Sequence, residues 1–206
     1  MDITQLIGGL ALSAPAGLNA YLPLLVLSLA AKFGAIHLSS PYTILTDWWA
    51  IGVLLVLVTI ELMVDKIPGL DHINDIINTL IRPAAGALLY MSHDSAYNYV
   101  NPIVALGLGT VAAGGVHVLK ATSRPVVTLS TAGLGNPLVS LAEDFVAALT
   151  ALLALFVPLL ALLLLIIFLL PAFWLVNRLR KRLAQRRANR PPDPPPPPEG
   201  PIQLSR

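Results

Sequence analysis

The sequence predicts an all-α, polytopic transmembrane helical bundle of about six crossings, whose helices are broken by glycine and proline. Three observations predict it. Of the 206 residues, 56% are hydrophobic and only 12% charged, about half the charged share of a soluble domain. Mean hydropathy is +0.76, so too little polar surface is left to cover a water-facing globule. Apolar stretches approaching the roughly 20 residues a spanning helix needs recur along the chain, separated by Gly, Pro and Asn-Pro punctuation.

Ile3–Leu12 is apolar but too short to cross alone, and Ser13-Ala14-Pro15-Ala16-Gly17-Leu18 interrupts it. Asn19 is suited to cap a helix over Ala20–Phe33, with Pro23 in its first turn, where the missing N–H costs little. The two read as one crossing broken into half-helices. Met1-Asp2-Ile3 lacks the basic start of a secretory signal, so this segment reads as part of the mature protein.

Trp48–Asp65 is the next crossing, with Trp48 and Trp49 suited to a membrane–water interface. Gly69–Leu80 is amphipathic. Leu70, Ile73, Ile76, Ile77 and Leu80 share one face beside a polar stripe of Asp71, Asp75, Asn78 and Arg82. Such a segment is either interfacial or lines a polar cavity. Pro83 is expected to kink or restart the helix. Asn101-Pro102 opens a crossing to about Lys120. Ala105, Gly109 and Ala113 form a small-residue stripe that permits close helix approach, and His117 continues it.

Asn136-Pro137 repeats the cap-proline opening. Roughly forty almost wholly apolar residues follow, about 60 Å as a straight helix and twice a hydrocarbon core. They form either two crossings turning near Pro158, or one long kinked C-terminal helix, which gives five crossings. With six and an internal C-terminus, Lys66, Arg82, Lys120, Arg124 and the tail cations lie inside and only Lys32 outside, which the positive-inside rule prefers. Against six, no polar turn marks Pro158, and a hairpin in lipid must satisfy its backbone.

Charge divides the chain into a transmembrane domain, 1–177, and a basic, proline-rich tail, 178–206. The first part holds five Lys/Arg against nine Asp/Glu, the second eight against two. The tail's proline run favours extended, disordered chain without a core. Its Arg178-Leu179-Arg180-Lys181-Arg182 cluster reads as a topology anchor on anionic lipid, with no nucleic-acid partner expected. There is no cysteine, which excludes disulfides and thiolate metal sites.

Charges inside a membrane cost about 2.5–3.5 kcal/mol each on insertion scales, so each needs a reason. Glu61 and Asp65 lie four apart on one helix face, while Glu143 and Asp144 lie about 10 Å into the helix after Pro137. Nine acids against five bases before residue 178 leave carboxylates without a cation of their own. The expectation is that Glu61, Asp65, Glu143 and Asp144 converge on one polar cavity. Asn19 and Asn136 would stand at its helix-start edges, and Lys120 and Arg124 would be its counter-charges. The breaks Ala16-Gly17-Leu18-Asn19 and Ala132-Gly133-Leu134-Gly135-Asn136 resemble each other, and broken helices expose backbone groups to such sites. His117 is the histidine best placed for a proton-linked role, although a hydrogen-bonded packing histidine explains it more simply. Asp71, His72 and Asp75 are potential metal ligands, but an interfacial polar face accounts for them more simply. No cofactor and no metal are expected. No GxSxG elbow, HExxH pair or P-loop is present.

Ala16-Gly17-Leu18-Asn19-Ala20-Tyr21-Leu22-Pro23, then Glu61 through Asp65-Lys66-Ile67-Pro68-Gly69-Leu70-Asp71-His72, then Arg82-Pro83, and Asn136-Pro137 with Glu143-Asp144 carry a family resemblance. The pattern, over about residues 1–175, resembles the bacterial membrane family called domain of unknown function 4126. The resemblance implies a bacterial inner-membrane protein and carries no activity. The leading expectation is a transporter or channel-like protein for an ion or small solute, with membrane lipid as its surroundings. The alternatives are a non-catalytic scaffold or lipid-binding protein and an intramembrane enzyme acting on lipid. Homo-oligomerisation stays open.

Overall fold

The computed structural model describes residues 3–38, 40–67, 70–93 and 100–188. Among these, every regular element is helical: α1 (Ile3–Ser13), α2 (Leu22–Lys32), α3 (Trp48–Val64), α4 (Leu70–Ser92), α5 (Pro102–Thr131), α6 (Asn136–Phe156) and α7 (Pro158–Ala188). Short 3-10 turns occupy Ala14–Gly17 and Tyr42–Thr46. Two helical stretches, Pro102–Thr128 and Asn136–Phe156, are long and apolar enough to cross a membrane. Leu6–Gly17, Leu22–Lys32, Trp48–Val64 and Pro158–Pro171 are apolar but shorter.

The first two helices are not the halves of one crossing that the break suggested: Gly8 of α1 lies against His93, which shares a cavity wall with Leu27 of α2, so the chain turns back at the break. After the turn at Ala14–Gly17, the chain passes through Leu18–Tyr21 before α2 begins. Asn19 Oδ1 accepts from the N–H groups of Tyr21 and Leu22 at 3.2 and 3.0 Å, satisfying two donors that a helix start leaves open. The break lies against the α5 backbone, and only glycine fits there. A Cβ on Gly17 would overlap the Ala113 carbonyl oxygen and reach 2.6 Å from Val116 Cβ.

Helices α4 and α5 cross at equally close range. A Cβ on Gly86 would stand 2.6 Å from the Gly109 carbonyl oxygen, and one on Gly109 would meet the Gly86 backbone. The small-residue stripe is therefore consumed inside the molecule. Pro83 neither breaks nor restarts α4, which runs through it as one helix. Asn101 Oδ1 caps α5 by accepting from Ile103 N at 2.9 Å. The equivalent cap expected of Asn136 does not form. Helix α6 starts at Asn136 itself, because Thr131 Oγ1 already accepts the Gly135 N–H at 3.0 Å and the Asn136 amide is engaged with Thr128.

The long apolar run folds into a helical hairpin. Only Val157, with φ −138° and ψ 72°, leaves helical geometry. Its N–H donates to the Leu153 carbonyl and its own carbonyl accepts from Ala161 N at 3.1 Å, while Pro158 has no N–H to satisfy. The turn needs no polar residue because its backbone groups are already paired. Val146 and Ala147 pack with Leu165, Phe168 and Leu169, so α7 returns antiparallel to α6. Helix α7 continues to Ala188, where Arg and Leu favour helix and the Arg178 guanidinium lies 4.9 Å over the Trp174 ring. The proline run lies outside the described residues.

Polarity is distributed inside-out. On α4, Ile76, Ile77 and Leu80 are 64%, 55% and 81% exposed while Arg82 and Asn78 are buried. Helices α3, α5, α6 and α7 likewise turn large apolar side chains outward, among them Val56, Val111, Phe145 and Ile167. An apolar cluster of Leu24, Leu27, Leu54, Leu89 and their neighbours fills the interior away from the charges.

Candidate functional site

Helices α3 to α6 contribute charge to the interior at one level. Helix α3 ends there, bringing Glu61, Asp65 and, just beyond, Lys66. The first half of α4 adds Asn74, Asp75, Asn78 and Arg82. The later part of α5 adds His117, Lys120 and Arg124, and the early part of α6 adds Glu143 and Asp144. The α1–α2 break completes the set.

Arg82 is the hub. Its Nη2 stands 3.1 Å from Glu61 Oε1 and its Nη1 3.2 Å from Asp75 Oδ1. His117 Nδ1 lies 2.9 Å from the same Nη1. A guanidinium only donates, so Nδ1 accepts and the ring hydrogen sits on Nε2. That hydrogen points to Thr79 Oγ1 at 3.2 Å, and the Thr79 hydroxyl donates in turn to the Asp75 carbonyl oxygen at 2.9 Å. The neutral histidine is thus held in one tautomer.

Asp65 is the second junction. Its Oδ2 lies 2.9 Å from Lys120 Nζ and 3.3 Å from Arg124 Nη2, and its Oδ1 accepts from Asn74 at 2.7 Å. Glu143 Oε2 joins the same two cations, at 2.7 Å from Arg124 and 3.2 Å from Lys120. Asp144 is held differently. Asn19 Nδ2 donates to its Oδ1 at 3.0 Å, and its closest described cation is Lys66, at 3.9 Å.

The break between α1 and α2 is bonded into this network with matched polarity. The carbonyl of Leu18, where the α1 rod ends, accepts from Lys120 Nζ at 2.6 Å. The N–H of Ala20, where α2 is about to begin, donates to Glu61 Oε2 at 3.1 Å. A helix carries partial negative charge at its C-terminus and partial positive charge at its N-terminus, so a cation and an anion respectively stabilise the two ends.

The structure brings Glu61, Asp65, Glu143, Asp144, Asn19, His117, Lys120 and Arg124 together. Asn136 is set apart: it exchanges hydrogen bonds with Thr128 Oγ1 at 2.9 and 3.2 Å, nearly two turns before Glu143. Sequence reasoning did not put Arg82, Asp75, Asn78 or Asn74 in the site. Their signal was the polar stripe on α4, which periodicity identifies without saying which way it faces. The side chains of Asp71 and His72 lie outside the described ones, and Asp75 is taken by Arg82. A cavity of about 240 Å³ reaches Lys120 and Glu143 between α5, α6 and α7, walled by Leu119, Val127, Val139, Phe168, Leu169 and Pro171. A second, of about 260 Å³, includes His37, Ser92 and His93 in its lining, by the start of α7.

A family model described as "Domain of unknown function (DUF4126)" matches residues 6–178. The chain belongs to this family. The match covers the whole ionic core of this DUF4126 member and stops at the basic end of α7. Neither a curated protein nor a solved structure matches it.

Proposed function

We propose that this chain is a multi-pass protein of a bacterial inner membrane that moves an ion or small solute across the bilayer through its ionic core. One observation carries the reading. Among the described residues, five buried carboxylates, Glu61, Asp65, Asp75, Glu143 and Asp144, share three buried cations, Arg82, Lys120 and Arg124. A fourth cation, Lys66, stands 36% exposed at the rim. A surplus of buried negative charge is expensive in a low-dielectric interior unless a mobile cation or proton completes it. The break between α1 and α2 beside it supplies backbone groups of the kind that line transport sites.

The inside-out surface supports lipid as the solvent, since outward-facing Leu, Ile, Val and Phe gain nothing in water. Sidedness is supported by the cations. Lys66, Arg82, Lys120, Arg124 and the basic end of α7 gather toward one end, while Lys32 lies 4.9 Å over the Trp48 ring at the other. The cationic end is then cytoplasmic.

A second reading, a structural core without transport, draws on the direct pairing of Glu61, Asp65, Asp75 and Glu143 with cations. Purified full-length protein in liposomes separates the two. Under transport, Glu143→Gln abolishes ion or solute flux while leaving most of the protein folded. Under the structural reading no flux exists, and the same change removes one of the two carboxylates that Arg124 and Lys120 share with Asp65 and lowers the melting temperature.

A further inference from the structure

We infer that Asp144 is the group on which the core takes up and releases a proton, with Lys66 as the rim group facing water. This names the species moved by the pathway proposed above and rests on that reading.

Glu61, Asp65, Asp75 and Glu143 each stand within 3.2 Å of a cationic nitrogen. Asp144 does not. Its Oδ2 is buried without a hydrogen-bond partner among the described residues, and the Lys66 ammonium 3.9 Å away donates instead to the Leu62 carbonyl at 3.0 Å. Ser140, one turn earlier on the same face of α6, is fully buried and its hydroxyl is also without a partner. The unmatched negative charge of the core therefore resides at Asp144, beside a spare hydroxyl.

The neighbours decide between a metal cation and a proton. A bound metal ion needs several oxygen ligands around it. Here Asn19 presents an N–H to one carboxylate oxygen and Lys66 an ammonium toward the other. The Asn19 hydrogen and the Lys66 positive charge 3.9 Å away both oppose a metal cation at this carboxylate. A proton needs a single oxygen lone pair and is compatible with both. The charges acting on Asp144 come from Lys120 on α5, Asp65 at the end of α3 and Lys66 beyond it. Glu143 adjoins it on α6 and is paired with Arg124 and Lys120. Helix α1 and the part of α7 from 158 to 177 carry no ionisable residue, and α2 carries only Lys32 at its far end.

The test is infrared difference spectroscopy of the full-length protein in liposomes between acid and alkaline buffer, paired with proton flux read by a trapped pH dye. A protonated-carboxyl band is expected in the wild type, lost in Asp144→Asn and retained in Glu143→Gln. Lys66→Gln keeps the band and carries it to higher pH, because removing a neighbouring positive charge favours the neutral acid. A band that survives in Asp144→Asn overturns the inference, as does the lack of any titrating band in the wild type. If Asp144→Asn does not fold, Lys66→Gln decides, and an unshifted titration overturns it. An Asp144 band without flux of any ion leaves the proton site standing and removes the transport reading.

Discussion

Arg82 has no exposed surface, and its guanidinium holds Glu61, Asp75 and His117 at once. Replacing it with Met keeps the bulk and strands two carboxylates in the interior. The expected loss is about 3–5 kcal/mol, read as a large fall in melting temperature of the detergent-solubilised protein. Asn19→Ala removes the acceptor for two N–H groups at the start of α2 and is expected to cost about 1–2 kcal/mol by the same measurement. These residues were unequally legible in the sequence. Glu61, Asp65, Glu143 and Asp144 stand out because charge in an apolar run needs a reason. Arg82 stood in an amphipathic stretch, where the same pattern describes a helix lying on a membrane surface. Which face points inward depends on the solvent outside, and a one-dimensional period does not contain that. Asn136 misled for another reason: its Asn-Pro looks like that of Asn101, but Asn136 is already the first residue of its helix and its amide bonds to Thr128.

At the scale of elements, glycine decides where helices touch. Gly86→Val is expected to push α4 off α5 and lower stability by about 1–3 kcal/mol. Gly107→Val, on the same helix pair but facing open space, serves as the control and carries only a helix-propensity effect. The melting temperatures of the two variants test this directly. The hairpin is checked by cross-linking, which the lack of cysteine makes clean. A Val146→Cys, Leu165→Cys pair is expected to join through a short thiol cross-linker, since both residues belong to one apolar cluster. A continuous helix would hold them about 28 Å apart and give no product. Sequence could not choose between hairpin and rod, because the turn consists of one valine and one proline and its pairing is entirely main-chain.

The molecule as a whole joins an apolar exterior to a charged interior. Helix existence and the location of breaks followed from hydropathy and from glycine and proline. The joining of five separate segments into one ionic network did not, because it depends on how the helices cross. A reporter fused after Arg190 is expected to be active only on the cytoplasmic side. Deleting residues 191–206 is expected to leave the melting temperature of the membrane domain nearly unchanged, since a proline run builds no core. The central claim, that the buried charge serves passage across a bilayer, is met most directly by charge movement. Purified full-length protein in liposomes on a solid-supported membrane is challenged with jumps in pH and in monovalent salts. Wild-type protein is expected to give a current that is absent from protein-free liposomes and from folded Glu143→Gln protein. Folded wild-type protein giving no current under any of these gradients would contradict it.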